Sequence, residues 1–280
     1  MYGAPLVTTG ADYTLPWPSL INTDFPLVNQ TTVRLTVDAS IARITLNRPE
    51  QHNALAGDDI ALFLQHLDTV AATSSVRALI IDAEGGRTFC AGASLKEFRS
   101  GAMSGDLFTT LTDRIAAVDI PTVCLVNGNV FGGGAEVALC CDYRIGVHGS
   151  RMRIPAAQIG LCYPINGLRR YVDKLGLGTA KRLLVAAEEL DSTAMLACGF
   201  LHKVVEPETL AMAGAAFATQ LAGLAPLACR NMKHLLHAIA AGDCDDQHAR
   251  QLYQECAASE DLQEGLAAQR ERRAPVFRGI

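Results

Sequence analysis

Between Arg77 and Val147 the chain alternates short apolar runs with glycine-rich turns and helical segments. Arg77–Asp82 (RALIID) reads as a short buried strand, and Thr122–Val126 and Tyr143–Val147 as two more. Strand followed by helix continues through the first 200 residues, which predicts an α/β fold with parallel pairing. Ahead of this region, Val33–Val37 and Ala42–Leu46 read as a hairpin around a turn at Asp38–Ser40. Asp58–Ala72 places Ile60, Leu62, Phe63, Leu67 and Val70 at the spacing of an amphipathic helix. Leu107–Val118 and Ala135–Cys141 read as helices, as do Gly176–Ala187 and Ser192–Cys198, with a short strand at Lys203–Val205. The patterns over Glu208–Ala241 and Asp246–Arg273 are helical, so the last 70 residues are expected to be all helix.

With 280 residues and 49% hydrophobic content, the chain can bury one large core, or one core and a satellite. The expected organisation is an extended arm over 1–30, a core over 31–207 and a helical region over 208–280. The arm carries Pro5, Pro16, Pro18 and Pro26, and Trp17 is its anchor, on the body or on a neighbouring subunit. A net charge of −5 without a basic cluster excludes the electrostatic footprint of a nucleic-acid binder. No apolar run approaches the roughly 18 residues of a membrane span. The first residues lack the basic and apolar regions of a secretory signal. The nine cysteines form no C-x-x-C pair and no zinc-type cluster with histidine, so reduced core thiols and a cytoplasmic location are expected.

Two glycine-rich turns carry the chemistry: Phe89–Phe98 (FCAGASLKEF) and the stretch NGNVFGGGAEVAL, which holds Gly132–Gly134 and then Glu136. Each follows a strand and enters a helix. The first backbone N–H groups of a helix have no internal partner and lie at the positive end of its dipole. Glycine and alanine let a ligand approach them. Two such amides from separate turns, converging on one oxygen, make an oxyanion hole. The alternative for either turn is close packing alone. Neither G-x-G-x-x-G nor G-x-x-x-x-G-K-[ST] is present, so both nucleotide phosphate cradles are missing.

ITLNRPEQHNAL, RTFCAGASLKEF and IPTVCLVNGNVFGGGAEVALCCDYRIG follow one another in an order and spacing that resemble the crotonase superfamily, also called the enoyl-CoA hydratase/isomerase family. The likeness runs from Val33 to Gly279, where SEDLQEGLAAQRERRAPVFRG looks like the family's closing helix. It implies a spiral core of repeated ββα units, a helical C-terminal region, and a homotrimer or dimer of trimers. It also implies an acyl-CoA thioester substrate, with coenzyme A as part of that substrate and no permanently bound cofactor or metal. By motif match, the amides of Ala93 and Gly133 would hold the thioester oxygen and Glu136 would handle protons. Arg48, Ala54, Ala91 and Lys96 would lie along CoA, with Ala91 and Ala93 giving backbone contacts. Lys96, Arg272 and Arg273 meet CoA phosphates or are solvated surface. Phe277 packs at a neighbouring subunit's site or in the core.

The sequence departs from that pattern at one decisive position. A family hydratase carries a second glutamate in a P-E-x-x-x-G segment about twenty residues after the first. Here the segment is IPAAQIGLCYPINGLRRY; Pro155 and Gly160 match, and the glutamate position is Ala156. Water addition shares its acid and base work between two carboxylates, and each positioned group is worth roughly 10²–10⁴-fold. Moving a double bond needs one base only, although single-glutamate isomerases of the family tend to keep the acid at the Ala156 position. Hydration, isomerisation, decarboxylation, thioester hydrolysis and acyl-CoA binding without turnover all stay open. His148, Gln158, Cys162, Tyr163 and Asn166 are replacements for the missing acid or parts of the loop, and Ser94 stands where the family shows Asp.

Overall fold

The computed structural model describes residues 31–280. The arm expected over 1–30, with Trp17, lies outside the described residues. The chain opens with β1 (Val33–Asp38) and β2 (Ile41–Leu46), the expected hairpin, then α1 (Gly57–Ala72). Three turns of one repeating unit follow, each a pair of strands and then helix. The first is β3 (Ala78–Ala83), β4 (Thr88–Cys90), α2 (Leu95–Ser100) and α3 (Gly105–Ala116). The second is β5 (Thr122–Val126), β6 (Asn129–Phe131) and α4 (Gly133–Cys140). The third is β7 (Tyr143–Val147), β8 (Arg151–Arg153) and α5 (Ile165–Leu184). Then come β9 (Leu190–Asp191), α6 (Ser192–Ala197), β10 (Lys203–Val205), α7 (Leu210–Ala222), α8 (Pro226–Ala241), α9 (Asp246–Ala258) and α10 (Glu260–Glu271).

Each turn of the spiral gives one strand to each of two sheets. The larger sheet has the order β1-β2-β3-β5-β7-β10 and is parallel from β2 onward. The smaller has the order β4-β6-β8-β9, parallel except at β9. Alternation along the central strands sorts side chains to two faces. Leu79, Ile81, Cys124 and Val126 face a core shared with α1, α3, α4 and the small sheet, through Phe63, Ile115, Leu139 and Phe89. Ala78, Ile80, Val123 and Leu125 face a second core with Leu210, Ala218 and Leu221 of α7. Burial on both faces is why these strands are continuously apolar. Among the described residues no single helix is long and apolar enough to cross a membrane.

The structure corrects three sequence readings. The segment around Thr88–Cys90, read only as a turn, contains a strand, as do Asn129–Phe131 and Arg151–Arg153. The helix expected at Gly176 begins at Ile165, and Gly176 is a break within it (φ 77°, ψ 156°). Glu208–Ala241 is two helical segments meeting at a bend of 101°, because Pro226 starts α8 where it needs no N–H partner.

Candidate active site

The small sheet sets the site. β4 and β6 are neighbours in it, so the turns that leave them, Ala91–Ser94 and Gly132–Gly134, are neighbours too. The contact is backbone on backbone: a Cβ at Gly92 would stand 2.6 Å from the Gly133 nitrogen. A Cβ at Gly134 would stand 2.2 Å from the Cys90 carbonyl oxygen, and Gly132 turns the chain with φ 49°. Those contacts and that turn are what the three consecutive glycines are for. On the other side, the Leu55 N–H donates to the Gly92 carbonyl and the Ser94 N–H to the Leu55 carbonyl, both at 2.8 Å. This pairing turns the N–H of Ala93 away from Leu55. Neither the Ala93 amide nor the Gly133 amide finds an acceptor among the described residues. Against Gly133 lies the ring of Phe108, 2.5 Å from where a Cβ would stand.

Glu136 follows in the first turn of α4 and is 4% exposed. Its Oε1 accepts a 2.7 Å hydrogen bond from Arg170 Nη1, which also donates to Thr112 Oγ1 at 3.1 Å. Arg170 Nη2 is paired with Asp113 Oδ1, and Asp113 Oδ2 accepts from Asn166 Nδ2 at 3.0 Å. The three successive turns of the spiral thus supply Asp113, Glu136 and Arg170 in that order. Burial raises the Glu136 carboxyl above its ordinary range, and the Arg170 guanidinium and the Thr112 hydroxyl pull it back. The Tyr163 ring is beside it: a Cβ at Gly167 would be 3.1 Å from Tyr163 Cδ1 and 3.1 and 3.2 Å from the Glu136 oxygens. Burial, then the Glu136 charge, hold the Tyr163 hydroxyl above its usual range, so it keeps its proton at neutral pH. Burial pushes the Cys90 thiol, next to the Gly134 backbone, up to about 12, and it stays un-ionised.

The remaining expected positions divide. Ala91 joins the Ala93 turn to the Arg48–Leu55 segment, its amide donating to the His52 carbonyl at 3.0 Å. Arg48 and Ala54 line one narrow crevice with Asn53 and Leu55, but the Arg48 guanidinium is bonded to buried Asp59 at 2.9 Å. Lys96 is exposed on α2. Arg272 is the left-handed C-cap of α10, and Arg273 is held by both oxygens of Glu264 at 2.6 and 2.7 Å. The Phe277 ring packs against Gly265 of α10. Ser94 caps α2, accepting from the Glu97 amide at 3.4 Å. Gln158 accepts from Arg153, and His148 lies 3.9 Å from Glu206, both on the surface. Cys162 is exposed. Ala156 is 6% exposed within the main core. Among the described residues no three His, Cys, Asp or Glu side chains are grouped to hold a metal ion.

Arg170, Asp113 and Thr112 are absent from the sequence-derived site. The only local signal was the one-turn spacing of Asn166 and Arg170 on α5, the two residues that hold Asp113.

The Enoyl-CoA hydratase/isomerase family model matches residues 36–279. A short-chain-enoyl-CoA hydratase of Clostridium acetobutylicum is 29% identical over 248 residues, covering 86% of this chain and 95% of that protein. A probable enoyl-CoA hydratase of Mycobacterium bovis is 30% identical, covering 88% of this chain and 99% of that one. Among solved structures, an enoyl-CoA hydratase/carnithine racemase from Magnetospirillum magneticum superposes with a TM-score of 0.84 at 26% identity, covering 90% of this chain and 97% of that one.

Proposed function

Because the chain belongs to the enoyl-CoA hydratase/isomerase family, we propose that it forms the enolate of an acyl-CoA thioester, with the Ala93 and Gly133 amides as oxyanion hole and Glu136 as its one acid/base. The observation that carries this reading is two amides from touching turns that find no acceptor among the described residues, with one buried carboxylate a helical turn further on. As the α- or γ-carbon loses its proton to Glu136, the electron pair moves to the thioester oxygen, where the two donors meet it. One such donor is worth roughly 10²–10³-fold in rate. The protonated Glu136 returns the proton at the other carbon, the double bond has moved, and the base is regenerated.

Water addition needs a second proton-handling group. The position that would supply it is the methyl of Ala156, and the acid that does lie near Glu136, Asp113, is bound by Arg170 and Asn166. Isomerisation therefore fits the side chains best, although the relatives' names point to hydration. Arg48, Ala54, Ala91 and Lys96 are assigned to the CoA side. The assembly is assigned as a homotrimer or dimer of trimers, supported by Met232, Leu236 and Ile239, exposed by 57, 65 and 62% on one face of α8.

A second reading, an acyl-CoA binder without turnover, draws on the same ion pair. A buried glutamate with no chemical task is costly unless paired, and Glu136 is paired. Glu136→Gln separates the two. An enzyme loses isomerisation of 3-enoyl-CoA by at least about 10²-fold while thioester affinity holds. Unchanged turnover in the variant would remove Glu136 from the chemistry.

A further inference from the structure

We infer that Arg170, anchored by Asp113 and Asn166, is a positioning residue that fixes Glu136 through Oε1 and leaves Oε2 as the oxygen that exchanges protons with substrate. This rests on the reading of Glu136 as the acid/base. Four contacts define the geometry. The Glu136 side chain is 5% exposed and that of Arg170 14%, so the pair is shielded from water. One guanidinium nitrogen is shared by Glu136 Oε1 and Thr112 Oγ1, and the other is paired with Asp113. Asp113 in turn is held by Asn166, one turn before Arg170 on the same helix, so guanidinium and anchor are braced together. Oε2 accepts no hydrogen bond among the described residues, whereas Oε1 is taken by Arg170; both oxygens lie against the bare backbone of Gly167, 3.1 and 3.2 Å from where a Cβ would stand.

The arrangement decides the protonation state of the base. Burial favours the protonated form of Glu136, and a protonated carboxyl cannot take a proton from carbon. Arg170 is the largest influence in the opposite direction. The other groups facing the carboxylate do not replace it. From α3 these are Thr112, a neutral hydroxyl that lowers Glu136 less than the Arg170 charge does, and Asp113, whose charge raises it. Tyr163 and Tyr171 stand on the α5 side with un-ionised hydroxyls, and Cys140 of α4 is an un-ionised thiol. Cys90 is the titratable group that β4 presents to α4, also un-ionised. Because the native carboxyl already lies above its ordinary value, losing Arg170 moves it further up, and the base is lost from low pH upward.

The test is a titration of the Glu136 carboxyl by ¹³C NMR, its signal assigned by its loss in Glu136→Gln, beside the pH profile of solvent-deuterium exchange into 3-enoyl-CoA. Arg170→Met is expected to raise the midpoint by about one unit or more and to lower exchange at pH 7 about 10²-fold, with KM nearly unchanged. Arg170→Lys, which keeps charge and stem but not the fork, is expected to hold the midpoint and still lose about 10-fold in kcat; it also serves if the Met variant does not fold. Asp113→Asn is expected to lower kcat without raising the midpoint, because the cation stays but is no longer aimed. A folded Arg170→Met protein with the wild-type midpoint and exchange rate overturns the inference. If the wild type turns over no thioester while the midpoint still moves, the enzyme reading fails and the ion-pair assignment stands. If turnover is normal while the midpoint stays, the positioning role fails and the enzyme reading stands.

Discussion

Gly92→Ala tests whether the touching of the two turns matters. Gly92 has φ +84°, where an alanine is strained by roughly 1–2 kcal/mol. Its Cβ would meet the Gly133 nitrogen at 2.6 Å, and the Gly133 Cα and Gly134 nitrogen at 3.0 Å, all backbone atoms. To reach an ordinary 3.4 Å contact the two turns must part by about 0.8 Å. Overpacking of that kind costs roughly 1–3 kcal/mol more. The same displacement moves the Ala93 and Gly133 amides off their shared target, and a misplacement near 1 Å costs on the order of 10²-fold in rate. The assay is a thermal melt beside deuterium exchange into 3-enoyl-CoA, with Gly86→Ala as control, since a Cβ there meets nothing within 4 Å. The expected result is a lower Tm and about 10²-fold slower exchange for Gly92→Ala, and neither change for the control. A Gly92→Ala protein that melts and exchanges like wild type would refute the idea that the contact sets the amides.

Ala156→Glu is expected to add or raise water addition to 2-enoyl-CoA by restoring a partner carboxylate; a folded variant that binds thioester yet adds no water would mean the pocket is shaped for another reaction. Lys233→Met should cost about 3 kcal/mol in denaturant unfolding, because Lys233 donates to Asp142 at 2.6 Å and both side chains are mostly buried; a loss below about 0.5 kcal/mol would contradict this. His202, lowered to about 4 by burial and the Arg144 charge, binds its proton less readily folded than unfolded. Its stability contribution is therefore full above pH 6.5 and lost as pH falls through about 4, by about 1 kcal/mol after screening of a half-exposed ring. His202→Gln should flatten that slope, and an unchanged slope would count against it.

The α/β architecture was legible because its signals are local. The hairpin, the central strands and α1 each carry their own period, and Ile60, Phe63, Leu67 and Val70 are all buried as the pattern requires. The small sheet was hidden because β4, β6 and β8 are three residues long, too short to show alternation. The first half of α5 was hidden because Asn166 read as part of the loop after Ala156 or as a replacement acid, although Gly167 is small so that the helix can lie on Glu136. The glycine turns and Glu136 stood out through motif and resemblance. Arg170 did not, because its partners are 34 and 57 positions away and meet it only when three turns of the spiral stack. An ion pair between distant elements leaves no period in the chain.

The most direct measurement is mass spectrometry of 2-enoyl, 3-enoyl, β-keto and malonyl thioesters of CoA incubated with the protein in D₂O. Deuterium at the α- or γ-carbon without added water is the result this account predicts, with one carboxylate moving the proton. A mass gain of one water would contradict the single-base mechanism and require another proton donor beside Glu136. No change in any thioester that binds would contradict turnover itself.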